Sequence, residues 1–251
     1  MKYMGSKARI AKDIVPIIQS FIDESKAKTY IEGFVGGANV IDEVRCDERI
    51  GIDKNKYLIA LLKRVRDGGE LLDRVSKDTY IGVKVNKDNY PDWLVGNVGF
   101  LASYNGKFFD GGYANTVIEH TKYGDKVRDY YQEGKRNLEQ QSSKLKNITF
   151  VNADFLECWV GLNLTGIVFY FDIPYLNTTK YDVSKGFDYD KFYDICRELS
   201  KNNIVIVSEQ WMPNDFTCIW EKRVVRTISA NAREYPTEKL FVIGKALEYI
   251  Q

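Results

Sequence analysis

The segment Tyr170–Phe171–Asp172–Ile173–Pro174–Tyr175 holds the residues of this sequence best placed to do chemistry. The apolar run Ile167–Phe171 reads as a buried strand, and it ends on a carboxylate, a proline and an aromatic ring. Ligands of open α/β sheets bind beyond the carboxyl ends of the strands. An acceptor followed by a flat ring at that edge suits the grip of an exocyclic amino group on a base that has left its stack. Far upstream, Glu32–Gly33–Phe34–Val35–Gly36–Gly37–Ala38 forms a glycine-rich turn suited to a nucleoside-bearing cofactor. Gly36 and Gly37 let the backbone approach a ligand closely and adopt positive φ.

The surrounding elements must position these two segments. Ile10–Phe21 spaces its apolar residues as an amphipathic helix, with Pro16 a point of interruption. Thr29–Phe34 is a short strand entering the glycine turn, and Val40–Val44 opens the next helix. Arg49–Ile52 is a second strand ending on Asp53, followed by a helix through Tyr57–Val65. This order of strand, glycine turn, helix, strand and acid is that of a dinucleotide-type half. Asp53 follows Gly36 at about the separation of a ribose-binding acid. From about Lys84 to Lys146 the apolar periodicity fades and Tyr, Asn, Gly and charged residues take over, as in Ser103–Tyr104–Asn105–Gly106–Lys107–Phe108–Phe109. This reads as a small inserted lobe with a loop or hairpin, closing with a helix near Asp125–Leu145. The sheet resumes with Ile148–Val151, Ile167–Phe171, Ile204–Ser208, Val224–Ile228 and Leu240–Ile243, the last two as an antiparallel hairpin. Residues 1–83 and 147–251 then form one α/β domain interrupted by a lobe at 84–146. Ser208–Glu209 ends a further strand and serves as support for the cleft or as a turn.

A chain of 251 residues, 44% hydrophobic and 14% aromatic, can bury a sizeable core. Its net charge of +1 gives no general affinity for nucleic acid, so any such binding must come from a local basic surface. Cys46, Cys158, Cys196 and Cys218 are scattered without a CxxC pair, which fits reduced thiols better than a disulfide frame or a zinc site. The single histidine, His120, argues further against a metal centre. No signal segment or long apolar run is present, and the expectation is a soluble cytoplasmic protein.

Taken together, the glycine turn, Asp172–Ile173–Pro174–Tyr175 and the opening Tyr3–Met4–Gly5–Ser6–Lys7 resemble the Dam-like, D12 class of adenine-N6-specific DNA methyltransferases. That class carries an Asp/Asn-Pro-Pro-Tyr signature, a Phe-x-Gly-x-Gly-like cofactor loop and an aromatic-x-Gly-Gly/Ser-Lys opening. The resemblance runs from residue 3 to about residue 243 and is weaker through the middle third. It implies a Rossmann-like S-adenosylmethionine-dependent methyltransferase fold: a mostly parallel sheet with a C-terminal antiparallel hairpin, plus a small target-recognition lobe inserted in the alpha motif order. It also implies S-adenosyl-L-methionine as cofactor, double-stranded DNA as partner, no metal, a monomer or weak dimer, and a bacterial or phage-infected cell.

By that resemblance, Tyr3, Lys7, Glu32, Phe34, Gly36, Gly37, Asp53, Asp154, Phe155 and Asp172 are the cofactor-binding positions. Asp53 would accept from the ribose hydroxyls, Asp154 from the cofactor's adenine amino group with Phe155 against the ring, and Lys7 would face the carboxylate. Asp172 and the backbone carbonyl of Ile173 would accept the two N–H groups of the target amine, with Pro174 shaping the turn and Tyr175 stacking on the base. In the lobe, Lys107, Lys122, Lys126 and Arg128 would contact phosphates. Tyr104, Asn105, Phe108 and Tyr113 would meet base edges or fill the gap left by a flipped nucleotide.

Each feature also has a plainer structural reading. The glycine pair can be a tight turn, Asp53 or Asp172 a helix cap, and the Tyr/Phe-rich hairpin the core of a small lobe. Ile173 stands where the signature has its first proline, and Gly33 and Ala38 also depart from the usual motifs. Cytosine-N4 methylation uses the same acceptor logic, and an RNA or protein-glutamine target shares a similar motif. A non-catalytic relative that binds DNA or protein fits the departures, whereas an NAD-type oxidoreductase would need a full G-x-G-x-x-G turn. Restriction partner, orphan regulator and phage self-protection all stay open.

Overall fold

The computed structural model describes residues 1–250 except 115, 122–123, 160–161, 175–185, 225, 230–231 and 235. The chain forms α1 (Ala11–Ser25), β1 (Thr29–Glu32), β2 (Glu48–Asp53), α2 (Lys56–Arg66), α3 (Lys77–Val85), α4 (Asp92–Gly96), β3 (Thr116–Thr121), β4 (Gly124–Asp129), α5 (Tyr130–Leu145) and β5 (Ile148–Asn152). It continues with α6 (Phe155–Cys158), β6 (Ile167–Asp172), α7 (Tyr189–Leu199), β7 (Ile204–Glu209), β8 (Thr217–Arg223), β9 (Arg226–Ser229), β10 (Ala232–Glu234) and β11 (Thr237–Ile243). Seven strands make one sheet in the order β5-β2-β1-β6-β7-β11-β8. The pairs β1–β2, β1–β6 and β6–β7 are parallel, and β11 runs antiparallel to both β7 and β8. This is the mixed α/β fold, mostly parallel with an antiparallel C-terminal end, that the sequence predicts.

Lys12–Phe34, Val44–Ile52 and Asp154–Gln251 form one compact unit, and Met1–Ala11, Val35–Glu43 and Asp53–Ala153 form the other. The boundary falls inside the glycine turn, between Phe34 and Val35. In the first of these units, β1, β6 and β7 are apolar on both faces, as parallel strands covered on both sides must be. Tyr30, Phe169, Tyr170, Phe171, Val205 and Val207 are fully buried there. Helix α1 runs without a break through Pro16. Pro16 faces solvent, and the stripe Ile14, Ile18, Phe21 and Ile22 holds the other face of the helix in the core. In the second unit, α2 buries Leu58, Ile59, Leu61, Leu62 and Val65. Gly96 lets α4 lie against α2, because a Cβ there would come within 2.2 Å of the Tyr57 carbonyl oxygen.

Three expected elements differ. Val40–Val44 is a succession of turns, not a helix. Its buried Val40, Ile41 and Val44 produce helix-like periodicity although β2 follows within a few residues. The helix expected near Asp125–Leu145 begins at Tyr130, where Asp129 accepts the Gln132 N–H at 3.0 Å and caps it. Residues before that cap belong to β4, which pairs antiparallel with β3 and sets Ile118 opposite Val127. Both side chains of that pair are exposed, at 59% and 67%. Finally, the antiparallel partner of β11 is β8, not the segment Val224–Ile228. The consecutive charged residues Glu221–Arg223 concealed β8, while β9 pairs with β10 in a small sheet of its own.

Cys46, Cys158, Cys196 and Cys218 are all free thiols; Cys196 is buried and Cys218 exposed. Among the described residues no helix is long and apolar enough to cross a membrane, and no cluster of His, Cys, Asp and Glu is arranged to hold a metal ion.

One charged cluster braces the start of α5. The Glu133 carboxylate receives Arg128 Nε at 2.8 Å and Lys2 Nζ at 2.8 Å, and the Arg128 guanidinium lies 4.7 Å from the Tyr130 ring centre. The Arg128 hydrogen bond, with help from Lys2, holds the Glu133 carboxyl down at about 2 against an ordinary 4.5. A carboxyl depressed in the folded state contributes stability above its ordinary range and loses it as pH falls toward the folded value. Glu133→Gln is expected to lower the stability from urea unfolding at pH 7 by about 1 kcal/mol, a modest value because the bridge is partly solvated. The gap to wild type should narrow as pH falls from about 5 to about 3. A gap that stays constant over that range would refute the assignment.

Candidate functional site

In the unit that carries the opening segment, Tyr3, Gly36, Gly37 and Asp53 come together around the glycine turn. Gly36 has φ +48°, and a methyl at that position would come within 3.0 Å of Tyr3 Cε1. At Gly37 it would come within 2.9 Å of Tyr3 Cβ, so side-chain-free backbone is required at both positions. Asp53 Oδ2 accepts the Gly36 N–H at 3.1 Å and Oδ1 accepts the Asn55 N–H at 2.9 Å. Burial raises the Asp53 carboxyl above its ordinary range, and these two N–H groups pull it back. A carboxylate has about four acceptor sites, so Asp53 can brace the turn and still take a hydroxyl donor. It is not the cap of α2; Asn55 is, accepting from the N–H groups of Tyr57 and Leu58.

Lys7 opens a short 3₁₀ turn, Lys7–Arg9, and is only 7% exposed. Burying an ammonium group is costly unless it is paired, so this is not an ordinary solvated lysine. Ala38, the departure at the third small position of the turn, sits at φ +56°, a left-handed conformation that costs an L-residue about 1–2 kcal/mol. Sequence reasoning missed Gln141 of α5. Its buried amide donates to the carbonyls of Gly37 (3.1 Å) and Ala38 (3.0 Å) and to Asp42 Oδ2 (2.8 Å). One of three glutamines in a polar helix, Gln141 carries no sequence signal for such a role.

In the other unit, the strand that enters the turn is tied to the strand that ends on Asp172. Gly33 N–H donates to the Tyr170 carbonyl at 3.1 Å, one residue beyond the end of β1. A Cβ on Gly33 would come within 2.7 Å of Phe171 Cδ1 and 2.8 Å of Phe155 Cδ2. The departure at Gly33 therefore matches bulky rings at 155 and 171. Glu32 is buried at the end of β1 and accepts the Tyr30 hydroxyl at 3.3 Å. Phe34 and Phe155 pack with Phe171, Phe187 and Phe192; the Phe34–Phe155 and Phe155–Phe171 ring centres lie 5.1 and 4.5 Å apart. Asp154 caps α6 by accepting the Leu156 N–H at 3.1 Å.

Asp172 ends β6 in register with Ser208 of parallel β7, so the two side chains share a face of the sheet. Ser208 is buried, and its hydroxyl has no hydrogen-bond partner among the described residues. Ile173 is buried as a whole residue, at 2% exposure. The Pro174 carbonyl accepts the Tyr189 hydroxyl at 2.8 Å. Tyr175 lies outside the described residues. The sequence marked Ser208–Glu209 as the end of a strand serving as support for the cleft or as a turn, and it gave no sign of Tyr189.

The lobe residues divide by environment. Tyr104 and Asn105 are exposed, Asn105 at φ +56°, while Lys126 is exposed on β4 and Lys107 is half-buried. Phe108 stacks on Tyr57 at 5.5 Å and Tyr113 donates its hydroxyl to the Val75 carbonyl at 2.7 Å, so both serve the packing of the unit. Arg128 is engaged by Glu133, and Lys122 lies outside the described residues.

Residues 3–90 match the family model of the D12 class N6 adenine-specific DNA methyltransferase. No curated protein matches the chain. The family match spans the opening segment, the glycine turn and Asp53, and ends before the Asp172 segment. It supports an N6-adenine DNA methyltransferase in general, with S-adenosylmethionine as the cofactor the class implies and DNA as its substrate.

The fit at Gly33 is directly testable. Gly33→Ala is expected to destabilise the protein by about 1–3 kcal/mol in chemical denaturation through overpacking against Phe155 and Phe171. Trimming Phe171 to Leu in the same chain should recover part of that loss; full additivity of the two changes would show that the rings are not the cause.

Proposed function

We propose that this chain, matched over residues 3–90 to the D12 class, methylates the N6 amino group of an adenine extruded from a short site in double-stranded DNA. The observation that carries the reading is Asp172 at the carboxyl end of β6, on a strand to which the glycine turn is bonded through Gly33. S-adenosylmethionine, when bound, supplies a sulfonium methyl group. Its binding is supported by the two close-approach glycines under Tyr3, by the spare acceptor capacity of Asp53 and by buried Lys7, a cation suited to a carboxylate.

The amino nitrogen of adenine is a poor nucleophile because its lone pair is delocalised into the ring. Two acceptors aimed at its two N–H bonds favour a more tetrahedral nitrogen and direct the lone pair out of the ring plane. Asp172 supplies one acceptor and the Ile173 carbonyl the other; transfer then needs no covalent enzyme intermediate, and proximity and orientation carry much of the rate. The residue at 173 contributes its carbonyl, so isoleucine there is compatible with the chemistry. Because Ile173 precedes Pro174, its backbone is still biased toward extended conformations. Tyr175 would stack on the extruded base. Exposed Tyr104, Asn105 and Lys126, with Lys107, are the lobe groups proposed to meet DNA, within a target-recognition segment at 84–146.

The test is methyl transfer from labelled S-adenosylmethionine to unmethylated genomic DNA, with product nucleosides identified by mass spectrometry. The expected product is N6-methyladenine, with Asp172→Ala lowering kcat by about 10²–10⁴. N4-methylcytosine as the product would replace the adenine reading. Cofactor binding without label in any base would establish a non-catalytic relative.

A further inference from the structure

We infer that Tyr189 is a positioning residue that aims the Ile173 carbonyl, replacing from the C-terminal side the rigidity that a first proline would supply from the N-terminal side; this rests on the methyltransferase reading above. The Tyr189 hydroxyl donates to the Pro174 carbonyl oxygen at 2.8 Å across 15 residues of sequence. The Ile173 carbonyl belongs to the peptide plane that ends at the Pro174 nitrogen, and the Pro174 carbonyl belongs to the next plane. The proline ring fixes φ between these planes near −65°, so only ψ of Pro174 lets one turn against the other. Pinning the second carbonyl fixes that ψ and thereby the direction of the first. The acceptor nitrogen chemistry needs this aim, since misplacement of a reacting group by about 1 Å can cost about a hundredfold in rate.

The donor is itself held in place. Tyr189 is the first residue of α7, and Asp188 caps that helix by accepting the Lys191 N–H at 2.9 Å. The Tyr189 ring packs edge-on against Phe187 at 4.9 Å, within the aromatic cluster that also contains Phe192. Burial, and then the charge of Glu209, raise the Tyr189 phenol above its ordinary range, so the hydroxyl keeps its proton at neutral pH. The ring is thus fixed by packing, and the hydroxyl is left one task, the Pro174 carbonyl.

The test compares wild type, Tyr189→Phe, Ile173→Pro and the double variant. Wild type is assayed first: absence of N6-methyladenine there defeats the methyltransferase reading and this inference with it. With wild type active, Tyr189→Phe is expected to lower kcat about tenfold, the scale of one lost hydrogen bond. KM for DNA and the calorimetric Kd for S-adenosylhomocysteine should stay within about twofold, because neither ligand needs the aimed carbonyl for uniform binding. In the Ile173→Pro background the same change should cost less than about threefold, since the first proline restores the constraint. A readout independent of activity comes from protein labelled with carbonyl-¹³C proline. The chain has five prolines, and one carbonyl resonance should move upfield in Tyr189→Phe as its hydrogen bond is lost. Unchanged kcat, equal losses in both backgrounds, or no moved carbonyl resonance would each overturn the inference while leaving the proposed reaction intact.

Discussion

The hydrogen bond from Gly33 N–H to the Tyr170 carbonyl is the constraint on which the unit built around β1 and β6 depends. Four parallel pairs already align β1 with β6, from Thr29 opposite Ile167 to Glu32 opposite Tyr170. The Gly33 bond carries that alignment one residue further, so the glycine turn departs the sheet at the level where β6 approaches Asp172. In a strand a slip of one residue would send every side chain to the opposite face. Here it would also pull Gly33 out of line with Tyr170. Phe155 and Phe171 occupy the space a side chain at 33 would need, and so reserve the position for a residue that can both fit and donate.

The features legible in the sequence are those set by strong local rules. Buried parallel strands are continuous apolar runs, and Ile167–Phe171 and Ile204–Ser208 stood out for that reason. The glycine turn and Asp53 were legible because only certain residue types permit close backbone approach or multiple acceptance. Val40–Val44 was misread because buried apolar residues in a turn mimic a helical stripe over so short a span. Strand β8 was hidden because its sequence has no alternation: Thr217–Trp220 is followed by three consecutive exposed charged residues, Glu221–Arg223, at the edge of the sheet. The Asp129 cap was readable in principle, yet Asp125, four residues earlier, is an equally good capping type and drew the expected start toward β4.

The candidate site residues show a similar division. Asp172 and the two turn glycines were singled out from residue type and position, at a strand end and in a turn, and the structure has Asp172 at the end of β6 and Gly36 at positive φ. Roles assigned to Phe34, Phe155 and Phe108 by resemblance meet side chains already engaged in aromatic packing, which a linear pattern cannot reveal. Gln141 and Tyr189 were invisible for the opposite reason. Each acts on a backbone carbonyl far away in sequence, and backbone atoms carry no residue identity.

The β3–β4 ribbon has a consequence for how the folded chain fluctuates. Two strands alone are marginally stable in water, and the Ile118–Val127 pair that faces out at its centre gains little from burial. Its backbone hydrogen bonds are therefore held by little beyond the ribbon itself, in contrast to those of β6 or β7 in the core. Opening of the ribbon costs far less than opening of the sheet, so its amides exchange with solvent through local excursions while the central strands exchange only through global unfolding. One chain thus contains two scales of conformational lifetime, and the shorter one belongs to the ribbon.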